Sequence, residues 1–262
     1  MAEQVKSAPD RSPLDGPGGG IRPRSRWRGL RLLLRNKPAT LGAIFLALLI
    51  LAAVFAPIVA PYDPNAQDYA FLEPPSREHY FGTDDLNRDL FSRIVYGARV
   101  SLFVGFSTVL ISMIIGVGMG LWAGYHGGWV DTVIMRYIDI QWAFPNFIIA
   151  VYLVAVFGTG LVNVIIAITL AFLDDFARVV RGMVLSLRYQ EFVEASRATG
   201  AHTNRIILRH ILPNTSAPII VQATVSVSYA ILAEAGLSFL GLGVEPSTPT
   251  WGLILSDARS FF

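Results

Sequence analysis

From Ala39 to Ala60 the chain carries no charged side chain, and about 20 consecutive apolar residues are enough to span a bilayer as an α-helix. Further apolar runs lie at about 100–124, 137–157, 162–182 and 215–240. Five spans are therefore expected. The composition agrees: 53% of residues are hydrophobic and 15% charged, against about 25% charged in soluble domains. The first run begins only after 38 residues and exceeds a signal-peptide h-region, so it reads as a retained span.

Distribution of charge sets the orientation. Sixteen of the 21 Lys and Arg residues fall in segments 1–38, 177–210 and at Arg136; five (Arg77, Arg88, Arg93, Arg99 and Arg259) fall in the others. The positive-inside rule then puts the N-terminus and 177–210 in the cytoplasm. Residues 1–37 are rich in Pro, Gly and Arg. Their first part is expected to be disordered, and the last, around Trp27 and Leu30, to lie along a lipid surface. A basic arm beside a span reads as a membrane anchor, not a nucleic-acid arm.

Between the last two apolar runs sits a charged insert. Glu191, Glu194, Ala195 and Ala198 fall at i, i+3, i+4 and i+7, one face of a short helix. Gly200 stands where that helix would end with φ > 0, and Pro213 where a second short helix would stop. Such a unit at a membrane surface is suited to being gripped by another protein. On the outer side, Thr83 is expected to cap an amphipathic interfacial helix whose first turn holds Asp84 and Asp85.

Several chemistries are not encoded. With no cysteine there is no disulfide, thiolate metal site or cysteine nucleophile. A Walker A loop needs Gly-Lys-Ser/Thr, and the lysines are Lys6 and Lys37, neither in that setting. His79, His126, His202 and His210 lie in separate loops and read as surface or interface histidines, with no metal site. No catalytic residue is assigned.

Ionisable residues inside spans default to functional hypotheses. Asp174 and Asp175 interrupt the fourth run, about 18 Å from its start at ~1.5 Å per residue. Asp174 pairs with Arg178 at i+4, or it faces a cavity that takes substrate amino groups. Asp139 is expected to pair with Arg136, and Glu234 either pairs with a neighbour or lines a pathway. Gly116 and Gly120 let helices approach closely, Pro145 should kink the third span, and the small and hydroxyl residues of the fifth suit a path or close packing.

The insert resembles the EAA loop of bacterial ABC importer permeases, where Glu-Ala-Ala, three residues, Gly and then Ile-x-Leu-Pro recur. Glu194-Ala195-Ser196, Gly200 and Leu212-Pro213 match at that spacing, with Ser196 for the second Ala and His210 for the Ile. Phe81-Gly82-Thr83-Asp84, Gly97-Ala98-Arg99, Asp139 with Ala143-Phe144-Pro145, and Leu237-Ser238-Phe239-Leu240-Gly241 are similar to blocks of the dipeptide/oligopeptide (peptide/nickel) group, over roughly 80–262.

The resemblance implies an all-α integral membrane protein with the type I ABC importer permease (MetI-like) fold. Five spans are visible, and an expected sixth does not occur before Phe262. The domains would be a cytoplasmic basic tail (1–38), a first transmembrane helix (39–60), an extracytoplasmic loop with an interfacial helix (61–99), and a permease core (100–262) holding the coupling loop at 189–213. Glu191, Glu194, Ala195, Ser196, Gly200, Leu212 and Pro213 would meet the ATPase. Partners would be a second permease, two ATP-binding subunits, an extracytoplasmic binding protein and lipid, with ATP and magnesium bound by the ATPases and no cofactor by this chain. Nickel or another small solute is the alternative cargo. An ion-coupled transporter relaying protons through Asp139, Asp174, Asp175 and Glu234 would need an inverted repeat, which the sequence does not display. An intramembrane enzyme would need paired catalytic groups on adjacent spans, whereas Asp174 and Asp175 point about 100° apart on one helix.

Overall fold

The structure, a computed structural model, describes residues 34–259. The arginine-rich stretch around Trp27 lies outside the described residues. The described residues divide into two units, with the boundary between Ala47 and Leu48. The described part of the first is the beginning of helix α1 (Lys37–Val54), which continues into the second. Asn36 accepts the Ala39 N–H at 3.4 Å, and Pro38 occupies the first turn, where its missing N–H goes unneeded. The apolar run does not stay one helix to Ala60: it breaks at Phe55, and a single turn, α2 (Ala56–Val59), follows with Pro57 near its start.

Helix α3 (Leu90–His126) is 37 residues long. Then come α4 (Gly128–Trp142), α5 (Asn146–Phe157), α6 (Leu161–Leu187), α7 (Glu191–Ala198), α8 (Thr203–Ile206), a π-helical turn (Ile207–Ile211), α9 (Leu212–Phe239) and α10 (Trp251–Ala258). Among the described residues, three helical segments are long and apolar enough to cross a membrane: Lys37–Val54, Leu90–His126 and Thr203–Phe239. The bent pair α4–α5 would make a fourth. The five expected spans are thus not five straight helices. The run at 137–157 is divided, its halves meeting at 89°. Pro145 accounts for more than a kink: it forces Phe144 out of the helical region and is itself extended, with ψ 131°. α6 is long enough, but Asp174, Asp175, Arg178 and Arg181 set it apart from the apolar helices.

A seam of small residues joins α3 to α6. A Cβ on Gly120 would lie 2.5 Å from the Ala177 carbonyl oxygen and 2.9 Å from Val180 Cβ; one on Gly124 would lie 2.7 Å from Val184 Cβ. Gly116 faces the Leu173 carbonyl and Phe176. One turn before Gly116, Ser112 donates to the Thr169 carbonyl at 3.1 Å. The four-residue spacing thus brings two backbones into direct contact, the packing use of small residues in membranes. Phe176, Val180 and Val184 are fully buried along this seam. α9 crosses α3 at Gly105, beside Ile231, and Gly252 of α10 abuts the Ala235 backbone of α9.

The outer segment departs from the sequence reading. No interfacial helix forms at 83–89; Thr83 makes an isolated bridge with Asp89 instead. The Thr83 hydroxyl donates to the Ala70 carbonyl and accepts the Glu73 N–H at 2.8 Å, so it is engaged by the loop and cannot cap. Asp84 binds the Leu86 and Arg88 N–H groups, each at 2.9 Å, and Asn87 reverses the chain at φ 60°. Asp89 caps α3 in its place, accepting the Ser92 N–H at 2.7 Å. Its other oxygen bonds His79 Nδ1 at 2.9 Å. His79 is therefore a buried histidine, stacked among Tyr62 and Tyr69. Buried Arg88 and Arg93 both reach Asp84 and Asp257, joining this loop to α10.

Candidate functional site

The insert folds as a helix, a left-handed turn and a second helical stretch. α7 ends in a Schellman arrangement: the Gly200 N–H bonds the Arg197 carbonyl at 3.0 Å and the Ala201 N–H bonds the Ser196 carbonyl at 3.2 Å. Gly200 sits at φ 76° with open space where a Cβ would go, so glycine is required for conformation and not for room. Val193, Ile206, Ile207 and Ile211 are buried in the main core and anchor the insert. Arg188 donates to the Gly124 carbonyl at 3.1 Å, and Arg197 donates to the Tyr125 hydroxyl at 3.4 Å. That hydroxyl favours the charged form of Arg197 and raises its pKa.

Most of the rest of α7 faces out. Glu191, Glu194, Ala195 and Ala198 are exposed, and Ser196 is half-buried. Beside them Ala195, Ser196, Thr199, Gly200, Arg205 and His210 line an open depression. The insert therefore holds a mixed acidic and basic surface on a rigid apolar footing.

Pro213 does not stop a helix. It lies in the first turn of α9, and α8, the π turn and α9 together form one 37-residue run from Thr203 to Phe239. The widened turn just before Pro213 absorbs the register change that proline forces. Asn214 Nδ2 donates to the His210 carbonyl at 2.6 Å. Leu212 is half-buried and Pro213 exposed. Local composition carries no sign of the π turn, which joins α8 to α9 in one continuous run.

The ionisable residues of the spans pair differently from the helix-spacing rule. Asp139 meets Arg178 of α6 at 3.2 Å, in place of Arg136 on its own helix. Arg178 is thereby turned away from Asp174 and lies over the Trp142 ring at 3.9 Å. Asp174 is fully buried, and its Oδ1 takes a long 3.5 Å bond from Gln141. Gln141 also donates to the Leu170 carbonyl. Asp175 is half-buried beside it. A pair that the sequence reading missed, Asp131 with Arg181, is bidentate at 2.5 and 2.6 Å. Glu234 is fully buried and accepts the Ser101 and Ser238 hydroxyls, both at 2.8 Å. Ser101 also takes the Trp251 N–H at 3.4 Å, so this carboxylate fastens α3, α9 and α10 together.

Residues 116–262 match the family described as the binding-protein-dependent transport system inner membrane component. The chain belongs to that family. Residues 25–75 match the N-terminal transmembrane domain of oligopeptide transport permease C. The chain is 48% identical to the dipeptide transport system permease protein DppC of Alkalihalophilus pseudofirmus, over 90% of this chain and 79% of that one. It is 46% identical to the di/tripeptide transport system permease protein DppC of Pseudomonas aeruginosa, over 86% and 77%. Against the glutathione transport system permease protein GsiD of Escherichia coli identity is 47%, over 89% and 77%. In fold it resembles a chain of the inward-facing MetNI methionine ABC transporter, with a TM-score of 0.52 at 20% identity, covering 66% of this chain and 91% of that one. The permease is thus an integral membrane protein of the bacterial inner membrane with the MetI-like fold, and its relatives are transport subunits.

Proposed function

We propose that this permease is the transmembrane subunit of an ATP-driven peptide importer, forming the translocation pathway with a second permease. Two ATP-binding subunits supply hydrolysis with ATP and magnesium, and an extracytoplasmic binding protein delivers substrate. The N-terminus and the insert lie in the cytoplasm. One observation carries the coupling: the exposed face of α7 stands on buried Val193 and is joined by the short turn at Gly200 to the 37-residue helical run Thr203–Phe239, which contains the π turn. Glu191, Glu194, Ala195, Ser196, Gly200, Leu212 and Pro213 would meet the ATPase, whose ATP-driven closure displaces 189–213 and, through α9, the pathway. The substrate class draws support from the relatives' names.

A strain lacking this subunit is expected to lose di- or oligopeptide uptake and to resist toxic peptide analogues. Normal peptide uptake together with loss of nickel-dependent enzyme activity would transfer the cargo to the metal alternative. A reporter fused at Thr203 should read cytoplasmic and one at Asp68 outside; the reverse would remove the ATPase contact.

A further inference from the structure

Two ion pairs join α4 to α6, and they differ in kind. Asp131–Arg181 is closed: both carboxylate oxygens are engaged by the guanidinium. Asp139–Arg178 makes one 3.2 Å bond, from the Arg178 Nη2; the Arg178 Nε is buried without a hydrogen-bond partner among the described residues, so the terminal Nη groups are the donors the side chain presents. Among the ion pairs of the described residues it is also the one in which both side chains are more than a third exposed, Arg178 at 40% and Asp139 at 54%. Arg178 lies about 26 Å along α6 from Leu161 at ~1.5 Å per residue, at the cytoplasmic boundary of a hydrocarbon core of about 30 Å. Charged side chains at that depth face water or protein, not lipid. Trp142, itself exposed, holds the guanidinium plane from one side, leaving a planar fork of donors suited to a carboxylate.

We infer that Asp139, Arg178 and Trp142 form a contact site on the translocation path for a zwitterionic peptide, Arg178 taking the terminal carboxylate and Asp139 the terminal ammonium. The inference rests on the peptide reading above. The paired opposite charges suit an occupant that carries both signs and no net charge, and the indole offers a surface for its side chain. Two neighbouring charges face the pair, Asp175 within electrostatic reach of Arg178 and Arg181 within reach of Asp139; they are opposite in sign, and Asp174 is buried against Gln141.

The sequence contains no cysteine, so single cysteines report on this chain in the assembled importer. Ala143→Cys, one turn beyond Asp139 and exposed, should react with a charged, membrane-impermeant methanethiosulfonate and be protected by excess Ala-Ala. Tyr137→Cys, on the far side of α4 from Asp139, should react much more slowly. Arg178→Gln should raise the KM for Ala-Ala uptake about tenfold, as for loss of a charge-assisted bond, with Arg178→Lys between it and the parent. Equal rates at the two cysteines, or no protection by Ala-Ala, overturns the site, as does an unchanged KM in Arg178→Gln. If Arg178→Gln fails to assemble, labelling and protection of Ala143→Cys decide alone. An occupant from the second permease would leave Ala143→Cys unreactive with or without peptide, which also overturns it. Parent importer that takes up Ala-Ala normally while the site fails leaves the peptide reading standing; parent importer that takes up no peptide removes both.

Discussion

Gly120 and Gly200 are the same residue used for opposite reasons. Gly120 has ordinary helical geometry, but no Cβ fits between it and α6; Gly200 has open space around it and a backbone at φ 76°. The first lets two spans touch along their backbones, and the second ends α7 so that its acidic face stays outward. The seam is a fold device buried in the core, while the insert, proposed above as a docking element, is held by a few apolar anchors. Damage to the seam should remove the protein, and damage to the insert should remove only its coupling.

The largest effect is expected for Gly120→Val, which drives two methyl groups into the Ala177 backbone. Overpacking of this kind costs roughly 1–3 kcal/mol or more, and monodisperse protein extracted from membranes should fall to a small fraction of normal. Normal yield would mean the seam can part. Next is Glu194→Lys, which reverses one charge on the exposed face of α7. Membrane insertion should be normal while ATPase co-purification falls about tenfold, a loss of ~1.4 kcal/mol; undiminished co-purification and uptake would break the assignment of that face. Gly200→Ala follows, at about 1–2 kcal/mol for a Cβ in the left-handed region. It should slow uptake several-fold and lower the melting temperature in detergent by only a few degrees, whereas collapse of the protein would show the turn to be part of the fold. The smallest is Gly118→Ala. Gly118 lies two residues from Gly120 on α3 with nothing within 4 Å of a Cβ, so the change should be neutral or stabilising by about 0.5–1 kcal/mol. A marked loss of yield there would mean that the helix face opposite the seam is also packed.

What was legible in the sequence was whatever local periodicity encodes. The apolar runs led to the helices, the four-residue spacing of Gly116 and Gly120 to the seam, and Glu191 to Gly200 to a helix with a left-handed stop. What escaped depends on partners far along the chain. Spacing within one helix offered Arg136 to Asp139 and Arg178 to Asp174, yet the fold joins Asp139 to Arg178 across 39 positions and Glu234 to Ser101 across 133. Thr83 had the right chemistry for a cap, but its hydroxyl is held by Ala70, 13 residues back, and Asp89 does the work. Pro213 looked like a stop because proline usually ends a helix; the π turn before it, a tertiary adjustment with no composition of its own, lets the helix continue.

The central claim is that the insert's outward face is where ATP hydrolysis is coupled to the spans. Cross-linking tests it most directly: a short cross-linker with one thiol-reactive and one photoreactive end, applied to the assembled importer carrying either Ala195→Cys, on the exposed face of α7, or Val193→Cys, buried beneath it. The account predicts an adduct between Ala195→Cys and an ATP-binding subunit that changes with nucleotide, and none from Val193→Cys. Absence of any ATPase adduct at Ala195→Cys, with transport intact in that variant, would contradict it.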